Sequence, residues 1–346
     1  MSGSPGDDPP ALVSPSDGGG AACAYCLADA AALACGGCGR RSYCGAACAR
    51  ADWRAGGQRH ARWCALRCGE EGREWAVRDC GAARGLGVVA LADLPAGARV
   101  LVDEALLQTH ASLAEGGGAR RAAALQLTPT GGGLDEIFAN NEYGGREGPV
   151  IGLRLSRVNH SCAPNAQKVA DDDAGVNVVS LLRDVRAGEE VTIAYLPCDD
   201  PSGDREPAAS REILREHWGI ECAADCRCRD EGLAARVAEA RALDARIFEL
   251  GGRCDVAGAV GTAQRLLALY DEMGLPPLHQ ARSRTLFDAF QVAVMDRVRV
   301  EEAEAFLRLA LDIHRQTYHP DSSAVTEYEV LLSDVTAHPN FGVAND

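Results

Sequence analysis

Hydrophobic and polar positions divide the chain into four stretches with different patterns. Residues 1–22 are rich in Gly, Ser and Pro and contain almost no large apolar side chain. Because such a segment cannot offset the entropy of ordering, the pattern predicts a disordered tail at 1–22. Residues 23–64 are dense in Cys and Arg but poor in Leu, Ile and Val. A segment this short and this poor in core residues needs a staple to fold.

Between about Trp75 and Tyr195 the pattern changes to short β-like runs separated by turns. The same strand–turn–strand figure occurs twice, which predicts two hairpins. Their strands and turns are expected at 86–91, 93–97, 98–102, 176–182, 184–188 and 191–195. A Gly-rich, more helical insert lies between the hairpins at about 110–150. We therefore expect a mainly β domain over 75–198.

After residue 230 the apolar residues recur with helical spacing. The clearest runs are 233–237, 263–270, 286–290 and 303–310. Region 231–346 is therefore predicted to be an all-α domain. A polar linker is expected earlier in the chain, at 199–210. No repeat period stands out, so an ordinary helical bundle and a repeat-like array are equally open.

Composition narrows the class of protein. The chain has 346 residues, with 35 basic side chains against 50 acidic ones and a net charge of -15. A mean hydropathy of -0.13, without any apolar run near ~20 residues, argues against a membrane-spanning protein. The N-terminus has no charged-then-apolar pattern, so we expect no signal peptide. A pI near 5.0 argues against a surface built to bind phosphates.

Cysteine is the most informative residue type. Fifteen cysteines in a chain without a secretory signal pattern favour zinc ligation or catalysis over disulfides. Between residues 23 and 64, seven of them and one histidine form four pairs, which would fill two tetrahedral zinc sites. We predict interleaved pairing, because that order ties the whole segment together. One ion would take Cys23, Cys26, Cys44 and Cys48, and the other Cys35, Cys38, His60 and Cys64.

The spacing predicts turns for the two Cys-x2-Cys pairs and helix faces for the two i,i+4 pairs. This ligand order, with Asp52-Trp53 between the sixth and seventh ligands, resembles a MYND zinc finger. The resemblance implies a protein-interaction module that binds short proline-rich peptides. Six arginines and one acid lie between Gly39 and Leu66. Such a run is more commonly a solvated helix face, so nucleic acid is not the expected partner.

Two segments of the β domain carry the strongest functional signal. One is Asn-His-Ser-Cys-x-Pro-Asn at 159–165, and the other is Gly-Glu-Glu-x-Thr-Ile-x-Tyr at 188–195. With the Arg-Gly-Leu-Gly turn at 84–87, they resemble the SET domain of protein lysine methyltransferases of the SET-and-MYND type. The resemblance covers about 23–230. It implies small β-sheets with a pseudoknot, S-adenosylmethionine as methyl donor, and a narrow channel for the target lysine.

Carried over residue by residue, the resemblance also implies site residues. Cofactor contacts fall on Arg84, Gly85, Leu86, Asn141, Asn159, His160 and Tyr195. Tyr195 matches the catalytic tyrosine, and Trp218 stands where the family usually has a second tyrosine that helps to hold the amine. Ala83 replaces the first glycine of the family's turn, which would restrict the backbone if that residue needed a positive φ.

The family places a cysteine cluster in a post-SET region, here 211–230, completed by the cysteine of the first motif. The resemblance therefore implies a third zinc on Cys162, Cys222, Cys226 and Cys228. The spacing Cys-x3-Cys-x-Cys differs from the usual Cys-x-Cys-x2-Cys, and the finger precedes the SET domain instead of being inserted in it. We expect the other four cysteines to be buried free thiols: Cys68, Cys80, Cys198 and Cys254.

The sequence thus predicts an α+β protein with a zinc-stapled finger, a mainly β domain and a C-terminal helical domain. The leading hypothesis is an S-adenosylmethionine-dependent protein lysine N-methyltransferase that acts on a basic segment of a histone or another protein. The alternative is a non-catalytic adaptor that recruits protein partners through its finger, and a DNA-binding regulator is a weaker hypothesis. We expect a monomer without membrane association, in the cytoplasm, the nucleus or both.

Overall fold

The computed structural model shows two compact units. It describes residues 8–14, 23–26, 32–39, 41–54, 59–64, 66, 68–104, 127, 133–145, 148–152, 154–171, 176–196 and 205–345. The first unit comprises Met1–Asn159 and Asn165–Ile193, and the second comprises His160–Pro164 and Ala194–Asp346. Much of the insert predicted at 110–150, and residues 199–204 of the predicted linker, lie outside the described residues.

As far as its residues are described, the first unit holds the strands and three α-helices. The strands are β1 Leu12–Val13, β2 Leu33–Cys35, β3 Ser42–Tyr43, β4 Trp75–Asp79, β5 Leu86–Ala90, β6 Arg99–Glu104, β7 Glu142–Gly145, β8 Gly148–Ile151, β9 Asn159–His160, β10 Ala166–Asp171, β11 Val176–Leu181 and β12 Glu190–Ile193. The helices are α1 Ala46–Arg54, α2 Arg59–Trp63 and α3 Leu134–Asn141. Only β9 extends across the division between the two units, which falls after Asn159.

The second unit is helical. Its helices are α4 Pro207–Trp218, α5 Glu231–Gly252, α6 Val256–Glu272, α7 Gln280–Ala293, α8 Val300–Thr317 and α9 Ser323–Ser333. Helix α4 begins inside the predicted linker, with Pro207 at its first turn, a position that suits proline. The predicted α+β class with a C-terminal helical domain is confirmed. Among the described residues, no helix is both long and apolar enough to cross a bilayer.

The finger segment, residues 23–64, forms its core around cysteines. Strands β1, β2 and β3 make a small antiparallel sheet, and buried Tyr43 and Ala49 pack with Cys23 and Cys35. The two i,i+4 ligand pairs, Cys44/Cys48 and His60/Cys64, do not lie on helix faces as predicted. Cys44 lies before α1 and Cys64 directly follows α2, so these pairs lie at helix ends.

The predicted disordered tail differs from the structure at residues 8–14. Leu12 and Val13 pair antiparallel with Cys35 and Ala34, and Leu12 packs against the cysteine core. The amide of Gly36 also donates to the carbonyl of Ala11 at 2.9 Å. Composition alone missed this strand, because its two apolar residues are too few to fold without the finger as a template.

The two predicted hairpins are wrong in their pairing, although their strands occur near the predicted positions. Strand β5 pairs with β4 and β12, whereas β6 pairs with β11. The sheets have the orders β4-β5-β12-β9 and β10-β11-β6, with β7-β8 as a separate pair. Each strand–turn–strand unit therefore joins the two sheets instead of forming a hairpin.

Hydrogen bonds connect the turn at 93–97 to the turn at 184–188. Leu94 and Val185 exchange backbone hydrogen bonds of 2.8 and 2.9 Å. The side chain of Asp184 accepts from the amide of Ala96, and that of Asp93 accepts from the amide of Ala187, both at 2.9 Å. This reciprocal capping explains why both turns share the sequence pattern that suggested hairpins, with a glycine at positive φ at the end of each.

The C-terminal helices pack mainly against their sequence neighbours. The most extensive contacts join α5 with α6, α6 with α7, α7 with α8, and α8 with α9. This order favours the repeat-like array over a closed bundle. Tyr270 and Phe290 are fully buried in the shared core.

A matched pair of phenylalanines tests this core. Replacing Phe290, which is 0% exposed, with Ala should reduce the free energy of unfolding by about 3–5 kcal/mol, because it leaves a cavity. Replacing Phe248, which is 59% exposed on α5, should change it by less than about 0.5 kcal/mol. Urea denaturation followed by helical circular dichroism measures both. Equal effects of the two changes would contradict the packing described.

Candidate active site and zinc clusters

All twelve predicted metal ligands lie in three clusters of four. Within each cluster the ligand atoms are all within 4.8 Å of one another. The groups are Cys23, Cys26, Cys44, Cys48; Cys35, Cys38, His60, Cys64; and Cys162, Cys222, Cys226, Cys228. The first two belong to the first unit and the third to the second unit. These are the interleaved groups that the spacing in the finger and the family resemblance predict.

The distances within the clusters suit zinc and not disulfides. Sulfur pairs are 3.6 Å apart for Cys26–Cys44, 3.8 Å for Cys35–Cys64 and 3.7 Å for Cys162–Cys222. A tetrahedron with zinc–sulfur bonds of about 2.3 Å has sulfur–sulfur edges of roughly 3.8 Å. A disulfide requires about 2.05 Å. Four cysteines, or three cysteines with one histidine, are also the donor sets of structural zinc sites.

The thiols within a cluster affect one another's ionisation. Burial raises the pKa of Cys23, but backbone amides donate to its sulfur and bring the pKa down to about 7. In the third cluster, burial and the adjacent Cys226 raise the pKa of Cys228 to about 12. Neighbouring thiolates compete for protons when no cation is present. A divalent ion removes this competition and keeps the sulfurs ionised.

In the second cluster, His60 directs Nε2 towards the sulfurs. This nitrogen is 3.5 Å from the sulfur of Cys38, and Nδ1 is 2.6 Å from the hydroxyl of Tyr43. The same hydroxyl donates to Asp52 at 2.6 Å, so it accepts from His60 Nδ1–H. The imidazole is therefore the tautomer that offers a lone pair to a metal at Nε2.

A buried chain of polar groups thus extends away from the second cluster. Arg41 Nη1 donates to both carboxylate oxygens of Asp52, at 2.8 and 2.7 Å. Burial opposes ionisation of Asp52, but the charge of Arg41 and the other contacts lower its pKa below the usual range. Burial and the Asp52 carboxylate raise the pKa of Tyr43, so its hydroxyl keeps its proton. Such outer partners orient a ligating histidine and tune its basicity.

The third cluster is connected to the candidate catalytic tyrosine through His160. The backbone amide of Tyr195 donates to His160 Nδ1 at 3.1 Å. The proton of the ring must then be on Nε2, which lies 3.2 Å from the sulfur of Cys162. His160 therefore bridges a metal ligand and the backbone that carries Tyr195. The sequence indicated a cofactor contact for His160 but gave no sign of this bridge.

Aromatic contacts continue from this bridge to Trp218. The ring centroids are 5.4 Å apart for His160 and Tyr195, and 5.5 Å for Tyr195 and Trp218. Trp218 is the last residue of α4, which ends at Gly219 in the left-handed conformation. The indole therefore packs against the tyrosine ring, at the position where the family resemblance implies a second tyrosine.

In the first unit, Glu190 brings two predicted cofactor residues together. Arg84 Nε lies 2.9 Å from one of its carboxylate oxygens, and Asn159 Nδ2 donates to the other at 2.7 Å. Asn159 Nδ2 also lies 3.3 Å from the carbonyl oxygen of Leu86. Sequence reasoning gave Glu190 no role, although it lies inside the second motif.

The loop before β5 is shaped by glycines at two positions. Gly85 has a φ of 63°, and a Cβ at Gly87 would lie 2.5 to 2.8 Å from Glu190, Cys80 and Asn159. Position 87, at the start of β5, therefore needs a residue without a side chain next to Asn159. Cys254 is the sole non-glycine residue with positive φ in the described part of the chain, so Ala83 is not strained.

Asn141 is buried at the end of α3, where its side-chain amide donates to the carbonyl of Ile137 at 2.8 Å. This hydrogen bond ties it to its own helix, and its predicted cofactor contact stays a prediction.

Of the four cysteines predicted to be buried free thiols, the three that are described are free, but the prediction of burial is wrong. Cys254 is exposed, and Cys68 and Cys80 are half-buried. Cys198 lies outside the described residues.

Comparison with protein-family models matches two regions. Residues 23–64 match the MYND finger, and residues 85–196 match the SET domain. The match to the MYND finger therefore precedes the match to the SET domain along the chain. The SET region includes the Asn159 motif, the Tyr195 motif and the loop that begins at Gly85.

Curated relatives support this assignment over short regions. The mouse protein-lysine N-trimethyltransferase SMYD5 is 32% identical over 109 residues, which cover 29% of this chain and 26% of the relative. The Schizosaccharomyces pombe histone-lysine N-methyltransferase set5 is 24% identical over 156 residues, 40% of this chain and 46% of the relative. The Meyerozyma guilliermondii histone-lysine N-methyltransferase SET5 is 39% identical over 83 residues, 23% and 16% respectively. The chain therefore spans less than half the length of these relatives.

The buried polar chain beside the second zinc cluster can be tested by replacing Tyr43 with Phe. This change keeps the ring but removes the hydroxyl that His60 and Asp52 share. Loss of such a partner should weaken zinc binding at this cluster about 10–100-fold. Competition with a chromophoric chelator measures the release of each ion. The other two clusters are internal controls, and wild-type retention of every ion would contradict this role.

The metal content itself tests the third cluster. The intact protein should hold three zinc ions per chain, and Cys228→Ser should hold two, because the cluster loses a ligand that is 2% exposed. Cys254→Ser is the matched control, since that thiol is exposed and lies outside the three clusters. Elemental analysis after gel filtration gives the stoichiometry. Three ions in the Cys228 variant would show that this cluster is not a zinc site.

Proposed function

We propose that the protein is an S-adenosylmethionine-dependent protein lysine N-methyltransferase. The observation that carries the proposal is the SET-domain match, together with the local order of its motif residues. In the first unit, Arg84 and Asn159 meet at Glu190 beside a glycine-shaped loop. In the second unit, Tyr195 is fixed through His160 to the third cysteine cluster. These residues fit the cofactor-binding and catalytic roles that the family resemblance assigns to them.

Methyl transfer to an amine is an in-line displacement, in which a nitrogen–carbon bond forms while a sulfur–carbon bond breaks. When bound, S-adenosylmethionine supplies a positively charged sulfonium whose methyl group is electrophilic. The lysine ammonium must first lose a proton, which apolar surroundings favour by lowering its pKa. The protein's main contribution is then alignment of the amine and the methyl group. The site therefore needs no general-base dyad.

Tyr195 has the contacts required of an aligning residue. Its backbone is anchored by the hydrogen bond to His160, and its ring is held between His160 and Trp218. In our proposal its hydroxyl oxygen accepts a hydrogen bond from an N–H of the lysine amine and so orients the lone pair. The two neighbouring rings restrict the positions that this hydroxyl can take.

The proposed substrate is a basic segment of a histone or another protein. The net charge of -15 favours such a partner through long-range attraction. The names of the relatives include both histone-lysine and protein-lysine methyltransferases, which support this class of substrate. For the MYND finger we propose protein partners with short proline-rich peptides.

A non-catalytic adaptor is the second candidate, and the contact between Trp218 and Tyr195 favours it. An indole is larger than the phenol of the tyrosine that the family usually has at this position, and it has no hydroxyl group to hold the amine. Its packing against Tyr195 narrows the space for a lysine amine. On this alternative, the finger would recruit partners and the SET domain would transfer no methyl group.

Methyl transfer from labelled S-adenosylmethionine to an array of peptides with one central lysine distinguishes the two functions. We expect label on a subset of peptides, and a loss of at least about 100-fold in Tyr195→Phe, because alignment is lost. Tyr318→Phe is the control, since that ring packs on His314 in the helical domain. Cofactor binding without any labelled peptide, or full activity in Tyr195→Phe, would overturn the proposed mechanism.

A further inference from the structure

The helical domain contains a groove that the SET and MYND assignments do not explain. It lies between the C-terminal end of α5 and the face of α7, and it encloses about 250 Å³. Gly251 of α5 allows the close approach of the two helices, because a Cβ there would lie 3.3 Å from Val292. The groove is lined by Ile247, Phe248, Gly251, Gly252, Asp288, Gln291, Val292, Met295 and Asn340.

Three polar side chains line this groove, and each has an oxygen atom that can accept a hydrogen bond. They are the carboxylate of Asp288 and the amides of Gln291 and Asn340. Within residues 205–345, as far as the structure describes them, none of these side chains forms a hydrogen bond or an ion pair. Polar groups that converge on an apolar concavity without protein partners are a common property of ligand sites.

The carboxylate of Asp288 is partly buried and has charged neighbours. Burial raises the pKa of Asp288 to about 6, while Arg284 opposes the shift and Asp244 adds to it. Arg284 itself donates to Asp244 at 2.8 Å. The other titratable neighbour is Tyr328 on α9, whose pKa is raised by burial and by Asp288. Arg284 is thus already paired, and Asp288 keeps unused acceptor capacity.

The groove also has an apolar lining, of which Phe248 is exposed and Val292 and Met295 are buried. Phe248 is 59% exposed although it is one of only six phenylalanines in the chain. Val292 of α7 and Met295, two residues beyond the end of that helix, continue the apolar lining. An aromatic face beside a carboxylate attracts cations through both its quadrupole and the nearby charge.

We propose that this groove binds the side chain of a lysine from a basic partner peptide. The aliphatic stem would lie along Phe248, Val292 and Met295. The ammonium has three donors, which match the carboxylate of Asp288 and the amide oxygens of Gln291 and Asn340. An arginine fork prefers a bidentate carboxylate in an open planar geometry, so three separate acceptors favour lysine.

The size and charge of the domain agree with this occupant. Ligand pockets for whole small molecules begin at about 300 Å³, so a groove of about 250 Å³ suits a single side chain. Residues 231–346 contain 18 acidic and 11 basic side chains, which favours approach of a basic peptide. This site is distinct from the proposed methyl-transfer site, because all its residues belong to the helical domain.

Methionine resonances provide a local test in the full zinc-loaded chain. Only three methionines are present, and Met295 lines the groove whereas Met273 is buried elsewhere at the end of α6. The probes are acetyl-Gly-Gly-Lys-Gly-Gly-amide and the same peptide with norleucine in place of lysine. We expect the lysine peptide to shift the Met295 methyl signal with a Kd on the order of 1 mM. The norleucine peptide should bind at least about tenfold more weakly.

Asp288→Asn removes the charge without changing the shape of the side chain, and it should weaken lysine-peptide binding about tenfold or more. Asp312→Asn, on the exposed side of α8, makes the same change in net charge away from the groove and should leave binding unchanged. An unshifted Met273 signal verifies that each variant is folded. Equal binding of the two peptides, wild-type binding by Asp288→Asn, or no response of Met295 would each overturn the proposal. Because no cofactor is present, these outcomes do not depend on methyl transfer.

Discussion

Coordination of thiolates by zinc is the interaction on which the rest of this structure depends. The finger has almost no aliphatic core, and its buried centre consists of cysteines, Tyr43 and Ala49. Two interleaved clusters therefore provide the cross-links that apolar burial provides in larger domains. The third cluster joins Cys162 to three cysteines that lie about sixty residues later in the chain. In each case a bound metal would fix segments that the sequence leaves far apart.

Hydrogen bonds connect two of the clusters to residues that are not metal ligands. The second continues through His60 and Tyr43 to Asp52, and the third continues through His160 to the backbone of Tyr195. In both, the tautomer of a histidine follows from its hydrogen bonds. The third connection has a functional consequence. If the cluster loses its ion, the segment that carries the candidate catalytic tyrosine loses an anchor.

The sequence predicted what local spacing encodes, and it missed what depends on distant pairing. Metal ligands recur at short fixed intervals, and the strands of the β domain are separate apolar runs. Both features could therefore be recognised from the sequence. The turns at Asp93 and Asp184 have hairpin chemistry, yet they connect two sheets, because each turn is capped by the other. The strand at Leu12 forms only against Cys35 and Ala34. Glu190 likewise acquires its role through Arg84, a residue over one hundred positions away.

Under the proposed function, the residues around Arg84 and Asn159 bind S-adenosylmethionine. Calorimetry of S-adenosylmethionine binding to the three-zinc protein tests it most directly, with Asn159→Ala as the matched variant. We expect micromolar binding that is lost in the variant, because the proposed cofactor contact of Asn159, whose side chain is held by Glu190, is removed. A folded and fully metallated protein that binds no S-adenosylmethionine would contradict the claim.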